Sequence, residues 1–155
     1  PPAEGAIGGV KHRLLLGQPA AGQMAALQAA GVRTVVNFRK PGEHPGYDEA
    51  GAAKSAGLGY VNLPYAGAGE LTDEILDAAR ASLREAGAKG ETVARHCRTG
   101  NRVGPAWVAY RALDGGVDVE RAIAEAKAAR MVDPALEARV REYIKARAGS
   151  VTPRG

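Results

Sequence analysis

Apolar positions along this chain alternate between two spacings. Short continuous runs rich in Val, Leu and β-branched residues, at 12–16, 34–38, 60–64 and 92–94, read as strands, the central ones buried on both faces and 12–16 an edge strand. Between them the apolar residues fall three or four apart. Met24 and Leu27 share one side of a helix over 23–30, and Ile75, Leu76, Ala79 and Leu83 share one side of a helix from Thr72 to about Ala86. A further helix is read over 47–56. Gly31, Gly57 and Gly59 stand where helices should stop, and Thr72 is a fitting N-cap with Asp73 and Glu74 in the first turn. After the last strand come three helical segments: one from about Pro105 that carries Trp107, Val108, Tyr110 and Leu113 and stops at Gly115-Gly116, then 119–131 and 134–148. Asp133 is the N-cap of the last, with Pro134 at its first position.

A strand, a glycine-closed helix and the next strand in repetition predict an α/β fold. The expectation is three layers, with a mostly parallel central sheet of about four to five strands, right-handed crossovers and flanking helices. Residues 1–148 are read as a single α/β domain, 1–11 (two prolines, three glycines) as an extended lead-in, and 149–155 as a flexible tail.

Composition narrows the function. The chain has 155 residues, 45% hydrophobic and 25% charged, ordinary values for a globule with a real core. Aromatics are only 5%, so Val, Leu, Ile and Ala must build that core. A net charge of +4 is scattered and has no basic arm with interleaved aromatics, which argues against nucleic acid and for an anionic small-molecule or phosphorylated substrate. No stretch is apolar enough to span a membrane, so no membrane partner is expected. Three dispersed histidines and one cysteine make a poor metal site, and no cofactor is called for. The compartment stays open between cytoplasm and, if a leader was removed before Pro1, periplasm or exterior, and oligomeric state stays open too.

The chemistry concentrates at His96-Cys97-Arg98-Thr99-Gly100-Asn101-Arg102-Val103-Gly104. The only cysteine follows a strand and precedes a helix, where the helix dipole and turned backbone N–H groups favour thiolate over thiol. Arg95, Arg98 and Arg102 strengthen that field. The same field attracts an oxyanion, so one short loop supplies both a nucleophile and an anion cradle.

These residues resemble two active loops. His-Cys-x-x-Gly-x-x-Arg is the phosphate loop of tyrosine and dual-specificity phosphatases, but Arg102 comes one residue early and Val103 stands at that motif's arginine. Cys-Arg-x-Gly-x-Arg, matched from Cys97 to Arg102, is the shorter loop of rhodaneses. Both features occur together in the phosphatase-like domain family named after beta-lactamase hydrolase-like proteins. The chain resembles that family from Gly17-Gln18-Pro19 through Gly31 to Arg39, Glu43 and Leu63-Pro64 to the cysteine loop.

The resemblance implies a tyrosine-phosphatase-like fold in which Cys97 forms a covalent adduct while Arg102 and the loop (Arg98, Thr99, Gly100, Asn101, Val103) hold the oxyanion. It implies that His96 supports the loop through backbone bonds, and that Arg39 and Glu43 occupy the loop after the second strand, as a brace or a substrate contact. The family's general-acid position falls here on Tyr65, Ala66 and Gly67, none of them acidic. Glu70 is the nearest substitute, ahead of Asp73, which the helix start already explains. Three functions stay open: phosphomonoester hydrolysis, which leads; sulfur transfer through a Cys97 persulfide; and a binding module without turnover. Arg95 departs from the apolar strand usual before His-Cys, and in a central strand it needs a partner, Glu43 being one candidate, or a route to solvent.

Overall fold

The computed structural model describes residues 13–16, 22–40, 46–96 and 101–148, with the backbone only for 13–16 and His96. Its strands are β1 (Arg13–Leu16), β2 (Val32–Asn37), β3 (Gly59–Asn62) and β4 (Thr92–His96). Its helices are α1 (Gln23–Ala29), α2 (Glu49–Ser55), α3 (Asp73–Lys89), α4 (Gly104–Leu113), α5 (Val119–Ala128) and α6 (Pro134–Ala148), with a 3-10 turn at Ala68–Glu70. The strands lie in the order β1-β4-β2-β3, and every pairing is parallel. β1 takes the edge, and the α/β expectation holds.

The two faces of the sheet bury different residues because side chains alternate along a strand. Val35 and Ala94 face one way and pack with Met24 and Leu27 of α1 and Ala53 of α2. Val36 and Val93 face the other way, onto the larger core built by α3 to α6. Leu76, Ala79 and Leu83 of α3 lie in that core as the periodicity predicted, whereas Ile75 is only partly buried at its margin. Thr72 caps α3, its side chain accepting from the Ile75 N–H at 3.2 Å.

Several boundaries differ from the sequence expectation. β2 begins at Val32 and stops before Phe38, which leaves the strand to meet Tyr65 edge-on, ring centroids 5.9 Å apart. α2 starts at Glu49 because the Asp48 side chain accepts from the Gly51 N–H. α3 runs on to Lys89, past Gly87, and closes at Gly90. α5 stops at Ala128 rather than 131.

One row of the register decides where chemistry can occur. Leu16, His96, Asn37 and Asn62, the last residues of all four strands, are paired side by side. The segments that leave β2, β3 and β4 therefore start from one sheet edge, the carboxyl edge where parallel sheets bind ligands.

Candidate active site

Two asparagines stiffen that edge. The Asn37 backbone carbonyl accepts from the Asn62 side chain at 2.8 Å and from the Leu63 N–H at 2.9 Å, while its own side chain accepts from the Arg39 N–H and donates to the Tyr60 hydroxyl. Asn62 also donates to the Arg39 carbonyl at 2.9 Å. The backbone on either side of Arg39 is thus held by side-chain amides, a bracing that sequence reasoning missed. Its one visible signal is a polar Asn at the end of each of two apolar strands. Burial, above all, pushes the Tyr60 hydroxyl up to about 12, so it stays protonated beside Asn37. Arg39 is half-buried; Glu43, its expected brace, lies outside the described residues.

The turn that leads into α4 is clamped from two sides. Arg102 is half-buried, and its guanidinium Nη1 donates to the Tyr65 carbonyl at 2.9 Å. The Tyr65 hydroxyl donates back to the Arg102 carbonyl. Tyr65 is fully buried, so this reciprocal pair fixes the stem of Arg102 against the segment that leaves β3. On the other side the Asn101 side-chain oxygen accepts from the N–H groups of Val132 (2.9 Å) and Asp133 (3.2 Å). The Asn101 side-chain carbonyl thus ties the turn to the segment between α5 and α6, which leaves its backbone N–H for the expected substrate role. Val103 is buried at the cap position of α4 and has no side-chain group to offer the helix. By contrast Asp48, Thr72 and Asp118 cap α2, α3 and α5. The positive end of the α4 dipole therefore lies at the 101–103 turn without a side chain of Val103 to answer it.

Arg95 is fully buried in the interior strand β4, which removes the solvent route. Its guanidinium lies 5.0 Å from the Trp107 ring centroid, and that of Arg111 lies 5.5 Å from the same ring. Glu125 holds both Trp107 and Arg111, accepting from the indole N–H at 3.1 Å and from Arg111 Nε and Nη2 at 2.9 Å each. The strand that leads to Cys97 is thereby tied to α4 and α5 through one tryptophan.

Glu70, the expected substitute acid, is engaged by two neighbours. It is exposed, lies 3.2 Å from Lys40 Nζ and accepts from the Ala66 N–H. Bonding to Lys40, then to that backbone N–H, holds its carboxyl below the usual range, so it stays ionised. Asp73 is likewise lowered, first by its bond to Arg139 at 2.6 Å. Both carboxylates brace the segment after β3. Cys97, Arg98, Thr99 and Gly100, like the His96 side chain, lie outside the described residues. Among the described residues no group of three or more His, Cys, Asp or Glu side chains could hold a metal ion, and no helix is long and apolar enough to cross a membrane.

Residues 15–114 match the family described as beta-lactamase hydrolase-like protein, phosphatase-like domain. The chain belongs to this family. A beta-lactamase hydrolase-like protein of Agrobacterium fabrum (strain C58) is 33% identical over 113 residues, which cover 70% of this chain and 25% of that protein. The chain thus spans about a quarter of that relative's length. Among solved structures, P. aeruginosa TpbA is 26% identical with a TM-score of 0.68, over 88% of this phosphatase-like chain and 86% of that one. PTPMT1 in complex with PI(5)P has a TM-score of 0.80 at 20% identity, over 91% and 95% of the two chains, a likeness of fold. TpbA has also been solved with pTyr.

Proposed function

We propose that this chain is a cysteine-dependent phosphomonoesterase. The observation that carries the reading is the β4–α4 junction of a phosphatase-like domain, at the carboxyl edge of the sheet. Arg102 is anchored there by Tyr65, and α4 begins there without a capping side chain. In this reading the Cys97 thiolate attacks phosphorus in line and the bond to the leaving oxygen breaks. Arg102 and the amides of 98–103 bear the equatorial oxygens, and water then hydrolyses the phosphocysteine to return the thiolate. His96 keeps a supporting role, and Arg39 and Glu43 shape the neighbouring loop. Relatives of this fold solved with pTyr and with PI(5)P support a phosphorylated, anionic substrate.

With Glu70 engaged by Lys40 and the Ala66 N–H, the reading gives the leaving oxygen its proton from water, and aryl phosphates should be far better substrates than alkyl phosphates. The same engagement of Glu70 favours one second reading. Sulfur transfer from thiosulfate to Cys97 expels sulfite, which needs no acid.

Parallel assays of purified chain with an aryl phosphate and with thiosulfate plus cyanide test both. Aryl phosphate turnover that disappears in Cys97→Ser is the expected result. Thiocyanate formation without phosphatase activity would replace the proposal with the second reading, and activity surviving in Cys97→Ser would remove the nucleophile.

A further inference from the structure

Four helices of this chain close on a glycine with positive φ: Gly31 (97°) after α1, Gly57 (77°) after α2, Gly90 (68°) after α3 and Gly116 (66°) after α4. That is the residue this backbone shape favours, since a Cβ in the left-handed region meets the neighbouring carbonyl. α5 closes instead on Arg130, at φ 81°, the one non-glycine with positive φ among the described residues. The closure itself needs only backbone atoms: Arg130 N–H donates to the Lys127 carbonyl at 3.0 Å and Met131 N–H to the Ala126 carbonyl at 2.9 Å. An arginine kept where glycine would serve the helix better points to a use for its side chain.

Its position suggests the use. The next three residues are fastened to the turn that carries Arg102. Met131 is buried against Gly104, and the Val132 and Asp133 N–H groups donate to Asn101. By chain geometry Arg130 Cα lies within about 9 Å of the Asn101 side-chain oxygen. Arg111, Arg121, Arg139, Arg141 and Arg147 each hold a carboxylate. Arg130 is exposed and holds none among the described residues. Two residues on, Val132 is 76% exposed, the one exposed large hydrophobic among the described residues. An exposed guanidinium and a bare apolar side chain thus belong to the segment fastened to the anion turn.

We propose that Arg130 binds a second anionic group, a carboxylate or phosphoryl carried on the organic part of the substrate, with Val132 covering the apolar linker. This rests on the reading of the 101–104 turn as the end of an oxyanion site. Substrates with two separated acids are then preferred over simple monoesters of the same size.

The test uses two phosphonates that cannot be hydrolysed, benzylphosphonate and 4-(phosphonomethyl)benzoate, titrated calorimetrically into wild type and Arg130→Gly, with aryl phosphate turnover measured alongside. Wild type should prefer the carboxylate-bearing probe by about fivefold, the scale of a well-oriented exposed arginine–carboxylate pair. In Arg130→Gly that preference should fall to near one, with a melting temperature equal to or above that of wild type. Arg130→Asn, also at home after a helix, should give the same ratio. Equal affinities in wild type, or a preference that survives both substitutions, overturn the second-anion role even if turnover supports the hydrolase reading. Loss of preference in a protein that turns over no aryl phosphate overturns the hydrolase reading and keeps the second-anion site. Binding of neither probe overturns the second-anion role, and the hydrolase reading then stands or falls on aryl phosphate turnover alone.

Discussion

Replacing Gly104 with alanine puts a methyl group where Met131 already sits. A Cβ on residue 104 would lie 2.6 Å from Met131 Cβ and 2.8 Å from its Cγ and Sδ, against carbon contacts of about 3.5–4.0 Å in packed interiors. Cγ and Sδ can swing aside, but Cβ moves only with the backbone. The 131–133 segment must therefore retreat by roughly 1 Å, which lengthens the 2.9 and 3.2 Å bonds from Val132 and Asp133 to Asn101 beyond useful range. Overpacking costs about 1–3 kcal/mol and the weakened bonds about 1 more. Alanine's helical advantage over glycine returns at most ~1 kcal/mol, and less at the first residue of α4. The net is about 1–3 kcal/mol, or a melting temperature lower by roughly 3–10 °C for a chain of this length. Urea unfolding of Gly104→Ala, alone and combined with Met131→Ala, measures it. Met131→Ala removes Cγ and Sδ but keeps Cβ, so it should relieve only part of the penalty. A variant as stable as wild type, or complete relief in the double variant, would show that the backbone at 131 yields freely and that Met131 does not pin the segment.

Two further outcomes can be measured. Tyr65→Phe keeps the buried ring against Phe38 but leaves the Arg102 carbonyl without its donor, so stability should fall by about 1–2 kcal/mol in urea unfolding and kcat/KM for an aryl phosphate should fall about tenfold with the guanidinium less firmly aimed; unchanged kinetics would mean that the clamp does not position Arg102. Bonding to Arg111, its largest cause, holds the Glu125 carboxyl below its ordinary value. Its contribution is therefore complete above the unfolded value of about 4.3 and is lost as pH falls through the lower folded value. Denaturation between pH 5 and 3 should show a steep loss in wild type and a shallower one in Glu125→Gln, and equal slopes would refute the assignment.

Strands were legible because a buried parallel strand has to be an unbroken apolar run, and 34–38, 60–64 and 92–94 mark β2, β3 and β4 to within a few residues. Helix ends were less so. The helix read to about Ala86 runs on through Gly87 to Lys89, and nothing in the residue type announces that Arg130 takes the shape of a glycine. The turn at Ala68–Glu70 carries no periodic signal. At the site, charge spacing singled out Arg102, but its clamp to Tyr65 spans 37 positions and uses a backbone carbonyl at each end, which no side-chain pattern encodes. Asn101 is similar: an amide in an anion-loop motif reads as a ligand contact, whereas its partners are backbone N–H groups 31 and 32 residues away. Glu70 stands out in the sequence for its position after β3, but the partner that engages it, Lys40, lies 30 positions earlier in the chain.

The sheet's order has a consequence for assembly. β4 inserts between β1 and β2, so the first 62 residues can form only the β2–β3 pair and must keep a slot open for a strand made thirty residues later. That strand brings Arg95 into the interior, and the ring that receives it belongs to α4, later still. Zipping β4 into place before α4 docks would leave that guanidinium without the Trp107 face that covers it in the folded chain. Strand insertion and helix docking should therefore occur as one event. A ribosome-bound chain that has emerged only to residue 100 should lack protease-resistant β4, and release of α4 should bring that protection all at once.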